Sequence, residues 1–300
     1  MSLALRCLVL ILFSAPLFLI AADRSDEAAP APGAAPAAQS SAKSDAPGIQ
    51  DNSFMVEEAY NQEDGVVQHI NTFQWLSQRR NWTYTETDEW PVRSRKHQLS
   101  MSLGGTHAGS FPGSGGGLSD TALNYRYQLV GSGETKVAMA PRLTLLLPTG
   151  DSKFGRGNGG TGYQASIPVS VQLNQWLVTH WNAGATWVPH ARNEANEGAR
   201  TVGVNLGQSF VWLAKKRFNV LVETVWISSE SVVGRGRTDR SHDVFINPGI
   251  RWAYNFKNGL QIVPGLAMPI GVGPSAGEKG AFLYLSFEHP FAPAHSRQKN

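Results

Sequence analysis

Arg126, Arg142 and Arg251, with Glu223 and Glu288, sit at polar positions within segments whose intervening residues are Leu, Ile, Val or aromatic. Gln164, Gln172, Asn205, Asn247 and Gln261 share that polar set. Charges and amides confined together in this way either pair with one another or line a polar path for a solute. Ser100 with His97 or His180 could supply a nucleophile and a base. Acyl transfer also needs an orienting acid, and no G-x-S-x-G elbow is present. The string GRGNGG at 155–160 matches G-x-G-x-x-G. A dinucleotide site requires a helix directly after such a loop, and the residues that follow alternate like a strand.

Glu57-Glu58 and His69 are spaced too loosely to predict a metal centre, and no cofactor motif is present. The lone Cys7 offers no disulfide. Arg79, Arg80, Arg93, Arg95 and Lys96 form the one basic cluster, at net charge +3. Solvated loop charges account for it without a nucleic-acid partner.

The elements that position these residues show a period of two. Leu99, Met101 and Leu103 alternate with Gln98, Ser100 and Ser102. Leu123, Tyr125, Tyr127 and Leu129 alternate with Ala122, Asn124, Arg126 and Gln128. Ile167, Val169 and Val171 alternate with Ser166, Ser170 and Gln172. Such alternation predicts strands with one apolar face. About twelve are expected, at 66–75, 81–90, 96–104, 119–129, 135–147, 163–173, 175–188, 200–213, 217–228, 242–254, 259–270 and 280–291. Pro141, Pro168, Pro248, Pro264 and Pro269 fall inside these strands, where proline cannot donate to a ladder.

From the third strand on, short connections (130–134, Asn174, 214–216, 255–258) alternate with long ones (105–118, 148–162, 189–199, 229–241, 271–279). Long loops gathered at one end predict an all-β fold: an antiparallel, up-and-down transmembrane β-barrel. In lipid only a closed sheet leaves no unpaired edge. One end of the apolar faces carries Tyr125, Tyr127, Phe210, Trp212, Phe218, Trp252, Tyr254, Phe287 and Phe291. The other carries Trp187 and Trp226. Eight rises of about 3.3 Å from Phe218 to Trp226, tilted by about 45°, cover about 19 Å, which fits between two aromatic girdles.

Charged residues are 16% of the 300, against about 25% in soluble domains, while 41% are hydrophobic. Strands with one face to lipid and one to a confined lumen would have that composition. Residues 1–22 read as a secretory signal and 23–50 as an Ala/Pro-rich linker. Residues 51–64 form a short N-terminal segment, in which Phe54, Met55, Ala59 and Tyr60 could make one helix face or a plug. The barrel is expected over 65–291, with a tail at 292–300.

The strings NSFMVEEAYNQEDGVVQHI, EWPVRSRKHQLS, APRLTLLLPTGD and INPGIRWAYNFKNGLQIVPGLAMPIGVGP, then FLYLSFEHPF, carry a resemblance. Over roughly 51–291 the chain resembles the outer-membrane transporter family named for the meta-pathway of phenol degradation. The resemblance implies an outer-membrane barrel, inserted by the barrel-assembly machinery, that admits small aromatic or hydrophobic molecules. It brings no catalytic residues. Two alternatives stay open on the residues alone: a lipid hydrolase built on a twelve-strand barrel, and a structural barrel with a plugged lumen.

Overall fold

The computed structural model describes residues 52–107, 109 and 115–291. The signal, the linker and the tail fall outside the described residues.

Twelve antiparallel strands follow one another: β1 (Val66–Leu76), β2 (Asn81–Val92), β3 (Ser94–His107), β4 (Thr121–Tyr127), β5 (Val137–Met139 and Arg142–Leu147), β6 (Gly162–Asn174), β7 (Leu177–Arg192), β8 (Gly198–Lys215), β9 (Phe218–Gly234), β10 (Arg237–Trp252), β11 (Gln261–Ala267, resumed at Ile270–Gly271) and β12 (Gly280–Pro290). Each pairs with its neighbour in sequence, and β12 pairs along its length with β1, from Val66↔Pro290 to Leu76↔Gly280. The sheet is therefore closed, and β1 begins at the end where β12 finishes.

The burial pattern is inside out. Leu143 is 63% exposed and Ile167 49%, whereas Arg126 is 2% exposed and Glu223 0%. A chain in water would reverse this order, because burying unpaired charge is costly and burying apolar surface is favourable. A barrel in lipid requires it.

The prolines have a common explanation. Pro168 of β6 stands beside the break at Ala140-Pro141 in β5, since β5 stops pairing at Arg142↔Ser166 and resumes at Met139↔Val169. Pro248 of β10 stands beside the break at Met268-Pro269 in β11. Pro264 stands opposite Trp252, where the β10–β11 ladder breaks between Arg251↔Gly265 and Tyr254↔Ile262. Each missing N–H lies where the adjacent strand has already left the ladder, so no donor is lost from an intact pair.

Two of the expected long loops are mostly strand. The β9–β10 ladder runs on through Ser229↔Ser241 and Val232↔Thr238, leaving only 235–236 as the turn. β7 and β8 likewise extend to Arg192 and from Gly198. These stretches read as loops because both faces are polar. A strand that has risen beyond the apolar band no longer needs an apolar face, and backbone pairing alone continues it. The end away from the termini keeps its longest connection at 148–161.

The segment before β1 forms no helix at any point from residue 52 onward. Its N–H groups find their partners on the barrel wall.

Candidate functional site

The site is the lumen, and residues 52–62 occupy it. The segment starts beside Arg251, whose Nη1 donates to the Asn52 carbonyl. Ser53 Oγ lies 2.5 Å from Ser209 Oγ. The backbone N–H groups of Phe54, Met55 and Val56 then all donate to Glu223 Oε1, at 2.9, 2.8 and 2.9 Å. Successive N–H groups aimed at one anion form a cradle that only a negative acceptor fills well. Asn247 of β10, opposite Glu223 in the register, holds the other oxygen from Nδ2 at 2.8 Å.

Beyond Val56 the chain crosses to the facing wall. Asn182 brackets Glu57, accepting its N–H at 2.6 Å and donating to its carbonyl at 2.7 Å. The Glu57 carboxylate is shared by Arg126 and Arg142, each at 3.1 Å. Arg126 also donates to the carbonyls of Glu58 and Tyr60, at 3.2 and 2.6 Å, and to Asn61 Oδ1 at 3.0 Å. Ser170, Gln128 and Gln98 accept the N–H groups of Ala59, Asn61 and Gln62, at 2.8, 2.9 and 2.7 Å. Every strand from β3 to β10 thus bonds to one strip of chain.

Packing fixes the segment as well. The Phe54 ring lies against Phe282 and Tyr284, with centroids 5.4 and 5.5 Å away. A Cβ built on Gly249 would sit 2.5 Å from that ring, and one on Gly265 2.6 Å. Only glycine at both positions lets the wall accept Phe54. The Arg251 guanidinium lies 4.6 Å from the Tyr284 ring centre, within cation–π range.

The segment separates two cavities. One, of about 710 Å³, opens toward the end away from the termini. Phe54 and Met55 form its floor, and Leu76, Val188, Val225, Phe245 and Phe282 contribute apolar walls. The other, of about 500 Å³, lies at the terminal end beside Tyr60, Asn61 and Gln62.

Each candidate from the sequence has a place. Arg126, Glu223, Asn247, Arg251 and Gln261 are buried. Arg142 also donates to Gln164, whose amide donates to Thr186. Asn205 lines the larger cavity and Gln172 the smaller. Gln261 donates to Asn255 at 2.7 Å, and Glu288 stands between Gln68 and Gln261 in the register. All three arginines bond to the segment: Arg251 to the Asn52 carbonyl, and Arg126 and Arg142 to the Glu57 carboxylate.

On the outer face, Tyr125, Trp187, Trp212, Tyr254 and Phe291 are exposed, and Tyr127, Phe210, Phe218, Trp226, Trp252 and Phe287 are half-buried. His97 is on this face, with Nδ1 2.7 Å from Tyr125 Oη, and Ser100 is inside, accepting from Asn124 at 3.1 Å. They lie on opposite faces of one strand and cannot act together. His180 instead meets Ser170 Oγ at 2.7 Å, beneath Ala59 and Tyr60. GRGNGG is an outer turn that runs into β6 with no helix after it.

Sequence reasoning missed Gln98, Gln128, Ser170, Asn182 and Ser209 as ligands of the segment. Their signal was present: all lie on the same parity as the arginines and Glu223.

A closed twelve-strand barrel with lipid on its outside and a polar, occupied lumen defines an outer-membrane β-barrel protein. The chain belongs to the family described as "Putative MetA-pathway of phenol degradation", which matches residues 44–287. Among solved structures it is similar to an outer-membrane channel, COG4313, from Pseudomonas putida F1. The TM-score is 0.59 at 11% identity, covering 77% of this chain and 97% of that one. A second similar structure is the NanC porin, with TM-score 0.49 and 9% identity over 73% of this chain and 98% of that one. No curated protein sequence matches.

Proposed function

We propose that this chain is a passive outer-membrane channel for small apolar or aromatic molecules, closed at rest by residues 52–62. The observation that carries this reading is the cavity of about 710 Å³ above the Phe54 and Met55 floor. Its volume lies in the range of sites for small molecules, roughly 300–1,000 Å³. Arg126, Arg142 and Arg251 are engaged by the segment, and Arg79, which also lines the cavity, by Asp243, which leaves the apolar walls to select the solute. The family description, with its reference to phenol degradation, agrees with an aromatic cargo. The end where β1 begins and β12 finishes faces the periplasm in this reading, and insertion falls to the barrel-assembly machinery. Arg126, Arg142, Glu223, Asn247 and Arg251 hold the closure, while Gln164 and Asn205 line the entry.

The test is accumulation of labelled toluene by cells with lipopolysaccharide in the outer leaflet, with and without the protein. Faster uptake with the protein supports the reading. Equal uptake would sink it. If a barrel lacking 52–62 also leaves a planar bilayer silent, a sealed structural barrel remains.

A further inference from the structure

Charge is expensive on a lipid-facing strand position, and carboxylates are no exception in the middle of the band. β2 nevertheless turns Glu86 outward. Trp82 and Trp90 share its face, each four residues away, as does Asp88, which is paired with His69 at 2.5 Å. Glu86 is exposed, and among the described residues it has no hydrogen bond or ion pair. Beside it in the register is Asn71 of β1. Tyr84 Oη donates to Asn71 Oδ1 at 2.6 Å, and the Asn71 amide N–H₂ is left facing outward. The row continues with a leucine on each side, because Leu285 pairs with Asn71 and Leu103 with Glu86.

A bare acceptor next to a bare donor, flanked by leucines, is complementary to itself. A two-fold axis along the membrane normal, passing between these two residues, would bring each Asn71 amide to the other copy's Glu86. It would also bring each Leu103 toward the other copy's Leu285. Isologous contacts of this kind are the commonest way identical chains associate. Lipid tails offer Glu86 no donor, whereas a second barrel does. We infer that the β1–β2 face is the interface of a homodimer, held by reciprocal Asn71–Glu86 hydrogen bonds.

The test uses the full chain in native outer membranes, with a photoreactive benzoylphenylalanine placed at Leu103 or, on the far wall, at Leu206. Irradiation should give an adduct of twice the chain's mass from Leu103 and none from Leu206. Glu86→Leu and Asn71→Leu should each cut the Leu103 adduct at least tenfold, while heat-modifiable gel mobility shows the barrel still folded. Absence of the adduct at Leu103, an adduct with a protein of another mass, or an adduct unchanged in both variants would each overturn the inference.

Discussion

Glu223→Gln changes one atom and tests whether a carboxylate holds the lumen closed. Three N–H donors converge on Oε1, within 2.8–2.9 Å. Hydrogen bonds to a charged acceptor contribute about 1.5–3 kcal/mol each, and neutral ones about 0.5–1.5 kcal/mol. Removing the charge therefore weakens the cradle by about 1 kcal/mol per bond, or about 3 kcal/mol in all. Part of this is offset, because a neutral amide is cheaper to desolvate when the segment docks. The Asn247 contact survives if that amide turns over to accept from the new Nε2. A net loss of about 1.4–3 kcal/mol raises the released population roughly tenfold to a hundredfold. Single-channel recording in planar bilayers reads this as open probability, with a chain lacking 52–62 as the fully open reference. Heat-modifiable mobility confirms that the variant folds. Open probability within about twofold of the parent, while the truncated barrel conducts, would refute the view that the carboxylate is the latch.

Other outcomes follow from neighbouring contacts. Gly249→Val places atoms where the Phe54 ring lies and should expel it, raising conductance and dimming any fluorescence difference from a Phe54→Trp reporter. Arg126→Met leaves Glu57 with Arg142 alone and removes donors to two carbonyls, so protease access to 52–62 should rise several-fold. Leu143→Arg on the lipid face, opposite the girdle residue Tyr125, should destabilise the barrel by no more than about 1 kcal/mol in urea unfolding from liposomes. At the outer rim, burial works against the charge of Glu278, but the N–H groups of Gln78, Arg79 and Lys279 and the Arg79 charge outweigh it and hold its carboxyl below the ordinary 4.5. Its contribution to anchoring the β1–β2 turn is thus complete above about pH 4.5 and fades as pH falls through the lowered value. Amide exchange at Gln78 and Arg79, corrected for intrinsic rate, should accelerate there, and Glu278→Gln should reproduce the acceleration at neutral pH.

The barrel was legible because a period of two records which face each residue takes. Leu99, Met101 and Leu103 announced lipid, and Gln98, Ser100 and Ser102 announced a lumen, with no need for tertiary information. Strand ends were less legible. Where β9 and β10 rise past the apolar band, Ser229, Ser231, Asp239 and Ser241 are polar on either parity, and only the ladder they form tells strand from loop. The interior prolines also looked like errors from one strand at a time. Pro168 makes sense only beside the break in β5, a relation between residues far apart in sequence.

The site was half legible for a related reason. Alternation shows that Arg126, Glu223 and Arg251 point inward, but it does not show what they point at. A strip of chain that bonds through its backbone leaves almost no signature in its own residue types. Phe54, Met55 and Val56 present N–H groups to Glu223, and any non-proline residues could do that equally well. What the sequence does carry is the surplus on the receiving side. The lumen of a simple open pore has no need for a buried carboxylate on β9, an amide opposite it on β10 and glycines at 249 and 265 shaped to one ring. Inward polar residues too numerous to satisfy one another imply a guest, and the nearest chain able to supply one is the segment just before β1. Its length is sufficient: residues 52–62 reach from Arg251 across to Gln98 before Val66 joins the wall.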